Sequence, residues 1–303
     1  MSMNYEQKLK ELALADERIV VMTAENRAPV RSLPSALGAR FIDTGIAEQC
    51  MIGAAAGLAL RGRHVVTHAL ATFLTLRAYE FIRTDVGIGN LPVKLVGFVP
   101  GFLSDGNGPT HQAIEDISIL RTIPPLRILC PADHEELVTA LPEILRDPSP
   151  WYVRYNTRPA VVEHSASFEI GKAETLSTGG DVAILVYGML FQEAWEAKGI
   201  LERKGVGVRL VNLRTVKPID QAAVMDALRS TNLSVTLEDH FLTGGLYSIV
   251  SELCLRARIA PRVMPIALDN RWFKPGRLGE VLEAEGFTGP QLAARILSQL
   301  EEI

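Results

Sequence analysis

One acidic residue stands out because of the helix that is predicted to follow it. Glu48 stands near the start of the segment 46–60, which contains Gly53, three consecutive alanines and Gly57. Glycine is less favourable than alanine in a helix interior by about 1 kcal/mol, so two of them indicate close approach by another backbone, a second subunit or a ligand. A carboxyl group in such a setting is a candidate for proton transfer, because burial favours its protonated form. The alternative is that Glu48 only stabilises the helix N-terminus, where negative charge is favoured.

The elements that must position Glu48 alternate between short apolar strands and helices. In the first half, strands are predicted at 19–22, 41–42, 64–67, 93–99, 126–130 and 151–155, and helices at 4–16, 46–60, 73–86, 114–122 and 134–146. After a polar stretch at 156–180, strands are predicted at 182–186, 208–212, 233–237 and 263–267, and helices at 191–204, 219–229, 246–258 and 289–302. This alternation predicts an α/β fold of two consecutive open sheets covered by helices, the first mostly parallel. The acidic stretch 238–240 is interpreted as a structural turn at a dimer contact.

The composition excludes several classes of protein. With 303 residues, 48% hydrophobic and 22% charged, the chain has an ordinary globular profile and room for about two domains. A formal net charge of −4 does not favour binding to nucleic acid or to an anionic membrane. The three widely spaced cysteines argue against a disulfide framework or a zinc site, so a cytoplasmic location is expected. We find no signal peptide, and no apolar run approaches the roughly 18 residues needed to span a bilayer.

Several short segments, taken in order, resemble the C-terminal half of transketolase in the form encoded by a split-gene small subunit. The segments are RFIDTGIAEQ at 40–49, ATF at 71–73 with Tyr79, DGNGPTHQ at 105–112, LCPAD at 129–133, VNLRTVKPID at 211–220, and LEDH at 237–240 with the glycine pair 244–245. The resemblance covers nearly the whole chain. It implies a pyrimidine-binding domain at 1–165 and a transketolase C-terminal domain at 180–303.

One motif of that family is missing from this sequence. Thiamine-diphosphate enzymes of this kind hold the diphosphate and its Mg²⁺ through a GDG…N motif on a separate domain. The nearest string here, GNG at 106–108, lies inside the 105–112 segment. The resemblance therefore implies a partner, an N-terminal transketolase subunit that binds Mg²⁺ and shares thiamine diphosphate across the interface of an α2β2 heterotetramer. No metal site is expected in this chain.

The resemblance also assigns roles to individual residues. Glu48 is expected to hydrogen-bond N1′ of the aminopyrimidine and so to activate thiamine diphosphate. Phe73 and Tyr79 match positions that pack on the pyrimidine ring, and Leu76 stands where the family has a third aromatic residue. His111 matches a histidine near the substrate hydroxyls, where it can act as acid, base or hydrogen-bond donor.

The positions expected to contact substrate depart from the family pattern. Val99 replaces a histidine that helps to bind substrate phosphate, and Asn107 replaces an aspartate that contacts a donor hydroxyl. Asp105, two residues earlier, is either the substitute for that aspartate or a turn former. These changes make an ordinary pentose-phosphate enzyme a poorer match than an enzyme with a specialised donor or acceptor.

Two further kinds of side chain are candidates for substrate contact. Arg154 and Arg158 flank the position expected for a phosphate-binding arginine, which Tyr155 itself occupies. A guanidinium fork suits phosphate or sulfonate, although an exposed structural arginine is the alternative at either position. His68 either faces the same site or packs at a strand end.

Four functions compete. The first is transfer of a two-carbon ketol unit from a phosphorylated or otherwise anionic ketose to an aldehyde or specialised acceptor, by a split transketolase subunit. The second is the β-subunit of a 2-oxoacid dehydrogenase, which acylates a lipoyl arm. The string GPTHQ favours the first over the second. The third is half of a 1-deoxyxylulose-phosphate synthase, which the Arg154–Tyr155 pair favours. The fourth is a non-catalytic partner subunit, against which the retained Glu48 argues, because a buried carboxylate without a function only lowers stability.

Overall fold

The computed structural model describes residues 3–302. Its first half contains α1 Tyr5–Ala15, β1 Ile19–Thr23, α2 Leu33–Leu37, β2 Phe41–Asp43, α3 Glu48–Leu60, β3 His64–Leu70, α4 Tyr79–Phe81, β4 Val93–Phe98, α5 Asp116–Leu120, β5 Arg127–Leu129, α6 His134–Arg146 and β6 Trp151–Arg154. Its second half contains β7 Glu174–Thr175, β8 Val182–Val186, α7 Phe191–Arg203, β9 Val208–Asn212, β10 Thr215–Lys217, α8 Gln221–Ser230, β11 Leu233–Phe241, α9 Leu246–Ala257, β12 Val263–Leu268, α10 Leu278–Glu285 and α11 Gly289–Glu301.

The strands form two sheets. The first has seven strands in the order β10-β5-β6-β4-β3-β1-β2, and the second has five in the order β12-β11-β8-β9-β7. All neighbouring strands are parallel except for β10 against β5 and β7 against β9. This architecture confirms the predicted α/β fold of two consecutive sheets. Within residues 3–302, we find no helix with both the length and the apolar character needed to cross a membrane.

The first sheet is buried on both faces, as parallel sheets usually are. Along β1, Ile19 and Val21 pack into one apolar cluster with α1 and α6, while Val20 and Met22 pack into a second cluster with α3. Because side chains alternate across a strand, β1 must be apolar throughout, and all five of its residues are buried. The clusters hold α3, and therefore Glu48, against the sheet.

Strand β10 connects the two halves. It belongs to the second half of the sequence, yet it pairs with β5 at the edge of the first sheet. Its Lys217 side chain donates hydrogen bonds to the backbone carbonyls of Arg121 and Ile123. The sequence did not predict this strand, because a three-residue segment before a proline carries almost no periodic signal.

Two predicted elements differ from the structure. The predicted helix 73–86 consists of π-helical turns at Phe73–Arg77 and Ile82–Gly87 on either side of the short α4. The stretch 238–240 is not a turn but lies inside β11, where all three side chains are fully buried. The Glu238 carboxylate accepts hydrogen bonds from the first backbone N–H groups of α9, and burial raises its pKa to about 7.

Candidate active site

Glu48 is the first residue of α3 and its side chain is almost completely buried, with 2% of the residue exposed. The backbone of Thr44, just before α3, hydrogen-bonds to Thr23 at the end of β1. Glu48 therefore lies at the carboxyl ends of parallel strands, which is where open α/β sheets bind ligands. A buried carboxylate needs a partner, and Arg77 Nη1 donates a hydrogen bond to Glu48 Oε2 at 2.8 Å.

Arg77 also contacts one of the predicted aromatic residues. Its Cζ atom lies 4.3 Å from the centre of the Phe73 ring, a distance typical of a cation–π contact. The Phe73 ring in turn packs edge to face on His111, with 5.0 Å between ring centres. These contacts join Glu48, Arg77, Phe73 and His111 into one group, which we call the Glu48 cluster.

Arg77 is the member of the Glu48 cluster that the sequence analysis missed. A signal for it was present, because residues four apart on a helical segment lie on the same side, and Arg77 follows Phe73 at that spacing. Its pairing with Glu48, 29 residues earlier, depends on how the 73–87 segment packs against α3 and could not be predicted from spacing.

The other two residues expected to line the pyrimidine pocket have different surroundings. Leu76 is 45% exposed, and the Tyr79 hydroxyl forms a 3.0 Å hydrogen bond with Thr122 Oγ1. Four more large apolar side chains are exposed on α3, on the loop before it and along the 73–88 segment: Ile46, Leu60, Phe81 and Ile88. Exposed apolar residues on neighbouring elements are typical of an interaction surface, and α3 and the 73–87 segment are in contact.

The loop after β4 carries three predicted substrate contacts. Asn107 is exposed, and the Asp105 carboxylate accepts a 2.7 Å hydrogen bond from the Gly106 backbone, as a turn former does. His111 Nδ1 hydrogen-bonds to Thr110 Oγ1 at 2.9 Å. The loop begins at Val99, whose φ of 48° is unfavourable for a β-branched residue. Of these residues, only His111 reaches the Glu48 cluster through a contact that we observe.

The segment before α10 covers this loop. Gln112 Nε2 donates a hydrogen bond to the Phe273 carbonyl at 3.3 Å, and the Gly276 backbone N–H donates one to the Asp105 carbonyl at the same distance. The rings of Phe102 and Phe273 pack edge to face at 5.1 Å. The second half of the chain therefore helps to hold the loop that carries His111.

His68 is a core residue and not a substrate contact. It is fully buried, with Nε2 hydrogen-bonded to the Tyr5 hydroxyl at 2.9 Å and Nδ1 to the Met22 carbonyl at 3.0 Å. Burial lowers the pKa of His68 to about 4, so its imidazole is neutral at physiological pH. Both ring nitrogens are hydrogen-bonded inside the protein, which corrects the inclusion of His68 among the substrate contacts and favours the alternative, packing at a strand end.

Arg154 is also removed from the substrate set. Only 2% of it is exposed, and its guanidinium lies between two buried carboxylates, 3.0 Å from Asp116 and 2.6 Å from Asp239. Arg158, the second candidate, is partly buried and donates two hydrogen bonds to Glu193. Both arginines are paired within the chain, which corrects the assignment of Arg154 to an anionic substrate group and favours the structural alternative at both positions.

One group of side chains has the composition of a metal site. Ligand atoms of Glu136, His164 and Glu174 lie within 4.8 Å of one another. However, the two nitrogens of His164 face the Asp133 and Glu174 carboxylates at 2.7 and 2.6 Å, and hydrogen bonding to these carboxylates, opposed by burial, raises the histidine pKa to about 10. Both ring nitrogens of His164 therefore have carboxylate partners within the chain, and we interpret the group as an ion-pair network at the junction of the two halves.

Two family models match the chain. The model of the transketolase pyrimidine binding domain matches residues 1–160, and that of the transketolase C-terminal domain matches residues 171–292.

Relatives and a solved structure agree with these matches. The 6-deoxy-6-sulfo-D-fructose transketolase subunit of Clostridium sp. (strain MSTE9) is 40% identical over 292 residues, which is 95% of this chain and 90% of that subunit. The 1-deoxy-D-xylulose-5-phosphate synthase of Dictyoglomus thermophilum is 36% identical over 268 residues, or 87% of this chain and 43% of the synthase. A split-gene transketolase, described as an inactive β4 tetramer, superposes with a TM-score of 0.89 at 30% identity, covering 98% of this chain and 97% of that one.

Proposed function

This chain belongs to the transketolase family, as its sequence motifs predicted, and on that basis we propose that it is the small subunit of a heteromeric, thiamine-diphosphate-dependent transketolase. The reaction is the transfer of a two-carbon ketol unit from a ketose to an aldehyde or specialised acceptor. The observation that carries this proposal is the buried Glu48 carboxylate at the carboxyl ends of the strands, beside an aromatic ring and an exposed apolar surface.

The Glu48 cluster fits one end of thiamine diphosphate. A buried carboxylate suits a pyrimidine nitrogen that must share a proton, and the Phe73 ring next to it suits the flat face of a pyrimidine. When bound, thiamine diphosphate supplies the nucleophilic carbon that takes up the ketol unit. Glu48 holds the proton at N1′, Phe73 packs against the ring, and Leu76 and Tyr79 line its edge.

In this proposal the substrate lies on the side of the Phe73 ring where His111 is found. His111, which packs on Phe73, donates to or accepts from a substrate hydroxyl, and Asn107 and Asp105 on the same loop complete the polar contacts. The donor is phosphorylated or otherwise anionic, a choice supported by the relative that acts on a sulfonated ketose. Since Arg154 and Arg158 are paired internally, the cation for that anionic group comes from elsewhere, with the partner as one source.

The partner is an N-terminal transketolase subunit that carries the diphosphate-binding domain and its Mg²⁺. The support is the near full-length match to a relative that is itself named a subunit. We propose an α2β2 heterotetramer with thiamine diphosphate at the interface, cytoplasmic as the unpaired cysteines suggest. We also propose 1–165 and 180–303 as the domain limits. Two strands do not follow these limits: β7 lies between them and pairs in the second sheet, and β10 of the second domain pairs at the edge of the first sheet.

Reconstitution tests this function. The chain is assayed with thiamine diphosphate, Mg²⁺ and a ketose phosphate, first alone and then with a co-expressed subunit that has the GDG…N motif. We expect turnover only in the mixture. Glu48→Gln should lower kcat about 10²- to 10⁴-fold, because the acid can no longer hold the N1′ proton, while the exposed control Glu169→Gln leaves it unchanged. Turnover by the chain alone, or a fully active Glu48→Gln complex, would contradict the proposal.

A second candidate is the synthase reaction. It is favoured by the 36% identity to a 1-deoxy-D-xylulose-5-phosphate synthase over 87% of this chain. The assembled complex can be given xylulose 5-phosphate or pyruvate as the only donor, each with the same aldehyde acceptor. A transketolase uses xylulose 5-phosphate and leaves pyruvate unchanged. Release of carbon dioxide from pyruvate would instead favour the synthase or the 2-oxoacid dehydrogenase function.

A further inference from the structure

Arg77 lies where the proposed cofactor would have to lie. We propose that the Arg77 side chain occupies the aminopyrimidine site in the cofactor-free chain. There it pairs with Glu48, and it is displaced when the cofactor binds. This inference rests on the proposed function, because it assigns an occupant to the site in which Glu48 and Phe73 receive the pyrimidine ring.

The geometry of the Arg77 side chain is that of a substitute for a pyrimidine. A guanidinium is planar and donates hydrogen bonds from its edge. Here its edge donates to Glu48 Oε2 at 2.8 Å, while its central carbon lies 4.3 Å from the centre of the Phe73 ring. The proposed aminopyrimidine uses the same two contacts, a hydrogen bond to the carboxylate and packing on the ring. Two planar groups cannot fill that space together, so one must leave.

The burial of the two side chains shows which of them can move. Glu48 sits at the start of a helix packed on the sheet, and its side chain is 3% exposed. The Arg77 side chain is 39% exposed and therefore has a path to solvent. Its departure leaves Glu48 without an ion-pair partner among residues 3–302, a state that is unfavourable for a buried carboxylate unless another donor arrives. The exchange is therefore favourable only when the pyrimidine replaces the guanidinium.

The displacement also follows from the chemistry proposed for Glu48. The guanidinium engages Glu48 Oε2 at 2.8 Å, whereas the proposed role requires the Glu48 carboxyl group to hydrogen-bond N1′. With Arg77 in place, that oxygen already has a hydrogen-bond partner. Arg77 therefore keeps Glu48 in an ion pair until the partner and the cofactor are present. It also lowers the apparent affinity for the cofactor, because only molecules with an open site can bind it.

Cofactor affinity of the assembled complex tests the proposal without relying on turnover. Thiamine diphosphate is titrated calorimetrically, in the presence of Mg²⁺, into complexes of the wild type, Arg77→Met, and the control Arg83→Met. Arg83 is an exposed arginine on the same segment, for which we observe no ion pair within residues 3–302. We expect Arg77→Met to lower the Kd about 5- to 50-fold, since the competing contacts are gone, and Arg83→Met to leave it unchanged.

The outcomes of this titration are distinct. A Kd that Arg77→Met raises or leaves unchanged overturns the proposal, because Arg77 would then support the cofactor or have no role in its binding. Failure of every complex, wild type included, to bind thiamine diphosphate overturns the proposed function and this inference together. Arg77→Lys, which keeps the charge but not the planar group, should lower the Kd by a smaller factor and provides the test if Arg77→Met does not fold.

A second measurement uses the free chain and no cofactor. Urea unfolding midpoints are compared for the wild type, Glu48→Gln, Arg77→Met and the double variant. If Arg77 serves to neutralise Glu48, introducing Arg77→Met into the wild-type chain lowers the urea midpoint at neutral pH. Introducing it into the Glu48→Gln chain has a much smaller effect. Equal effects in the two backgrounds would show that the residues are not coupled, and would overturn the proposal.

Discussion

The two histidines His68 and His111 lie in different environments, one buried and one partly exposed. His68 is surrounded by core residues and its pKa is lowered to about 4 by burial, whereas His111 is partly exposed beside Phe73. A neutral histidine whose Nδ1–H donates to one internal partner, while Nε2 accepts from another, serves the fold. Of these two histidines, only His111 has the solvent access that acid–base chemistry requires, so its proposed role stays a prediction, whereas His68 fits the packing role.

Replacing His68 should lower stability and leave turnover alone. His68→Phe keeps the ring but leaves the Tyr5 hydroxyl and the Met22 carbonyl without their partner, which should cost about 1–3 kcal/mol in the free energy of unfolding, measured with urea. kcat of the assembled complex should not change. Loss of turnover without loss of stability would return His68 to the active site.

The same variant should alter the dependence of stability on pH. The pKa of His68 is about 4 in the folded chain against 6.5 in the unfolded chain, so the unfolded chain binds more protons between these values. The stability contributed by the neutral histidine is therefore complete above pH 6.5 and is lost as the pH falls through 4. His68→Phe should make this decline shallower. His240, whose pKa burial also lowers to about 4, accounts for part of what remains.

At the scale of elements, helix α3 has two different sides. One side carries Met51, Ile52 and Ala55 into the core, while Gly57 and Leu60 are exposed on the other. A side chain built at Gly57 would meet no atom of this chain within 4 Å. The close approach that the glycines indicated is therefore not made within the described part of the chain at Gly57, which agrees with a partner subunit on that side.

A larger side chain at Gly57 should leave the folding of the free chain intact but prevent its association with the partner. Gly57→Leu improves helix propensity and fills open space, so the free chain should keep its stability or gain up to about 1 kcal/mol. The added side chain should block the partner, which sedimentation velocity of the mixed subunits would detect as lost association. Ser298→Leu, at an exposed position of α11, is the matched control and should assemble normally. Normal assembly of Gly57→Leu would move the interface away from α3.

At the scale of the whole molecule, a buried charge network joins the two halves. Arg154 at the end of β6 pairs with Asp116 of the first half and Asp239 of β11 in the second. Gly101 permits this arrangement, because a Cβ atom there would overlap the Asp239 carboxylate. Burial raises the pKa of Asp239 to about 6, although the nearby guanidinium opposes the shift. The position that the sequence suggested for substrate binding therefore holds the two sheets together.

Removing this arginine should weaken the whole chain. Arg154→Met leaves two buried carboxylates facing each other, which should lower the free energy of unfolding by about 3–5 kcal/mol. The double variant Arg154→Met/Asp239→Asn should recover part of the loss. Urea unfolding followed by circular dichroism measures both, with Arg18→Met, which breaks an exposed pair with Asp16, expected to cost at most about 1 kcal/mol. A loss for Arg154→Met no larger than for Arg18→Met would refute the structural role.

Most of the fold could be predicted from sequence, since each strand of the sheet interiors is an apolar run and most of the longer helices are amphipathic. Strands β8 and β9 lie at their predicted limits. The segment 73–87 was predicted less well, because helical periodicity does not distinguish π-helical turns from α-helical ones. The strand β10 was missed because its pairing is with residues about 90 positions earlier.

The sequence by itself determined the family, the order of the elements and the position of Glu48 at the start of a helix after a strand. These features depend on local patterns of apolar, polar and glycine residues, which are visible along the chain. The tertiary structure decided which charged and aromatic side chains have partners: Arg77 on Glu48, His68 inside the core and Arg154 between two carboxylates. Those outcomes depend on burial and on contacts between distant segments, because a side chain acquires its solvent exposure, its counter-charge and its pKa only when the chain has folded around it.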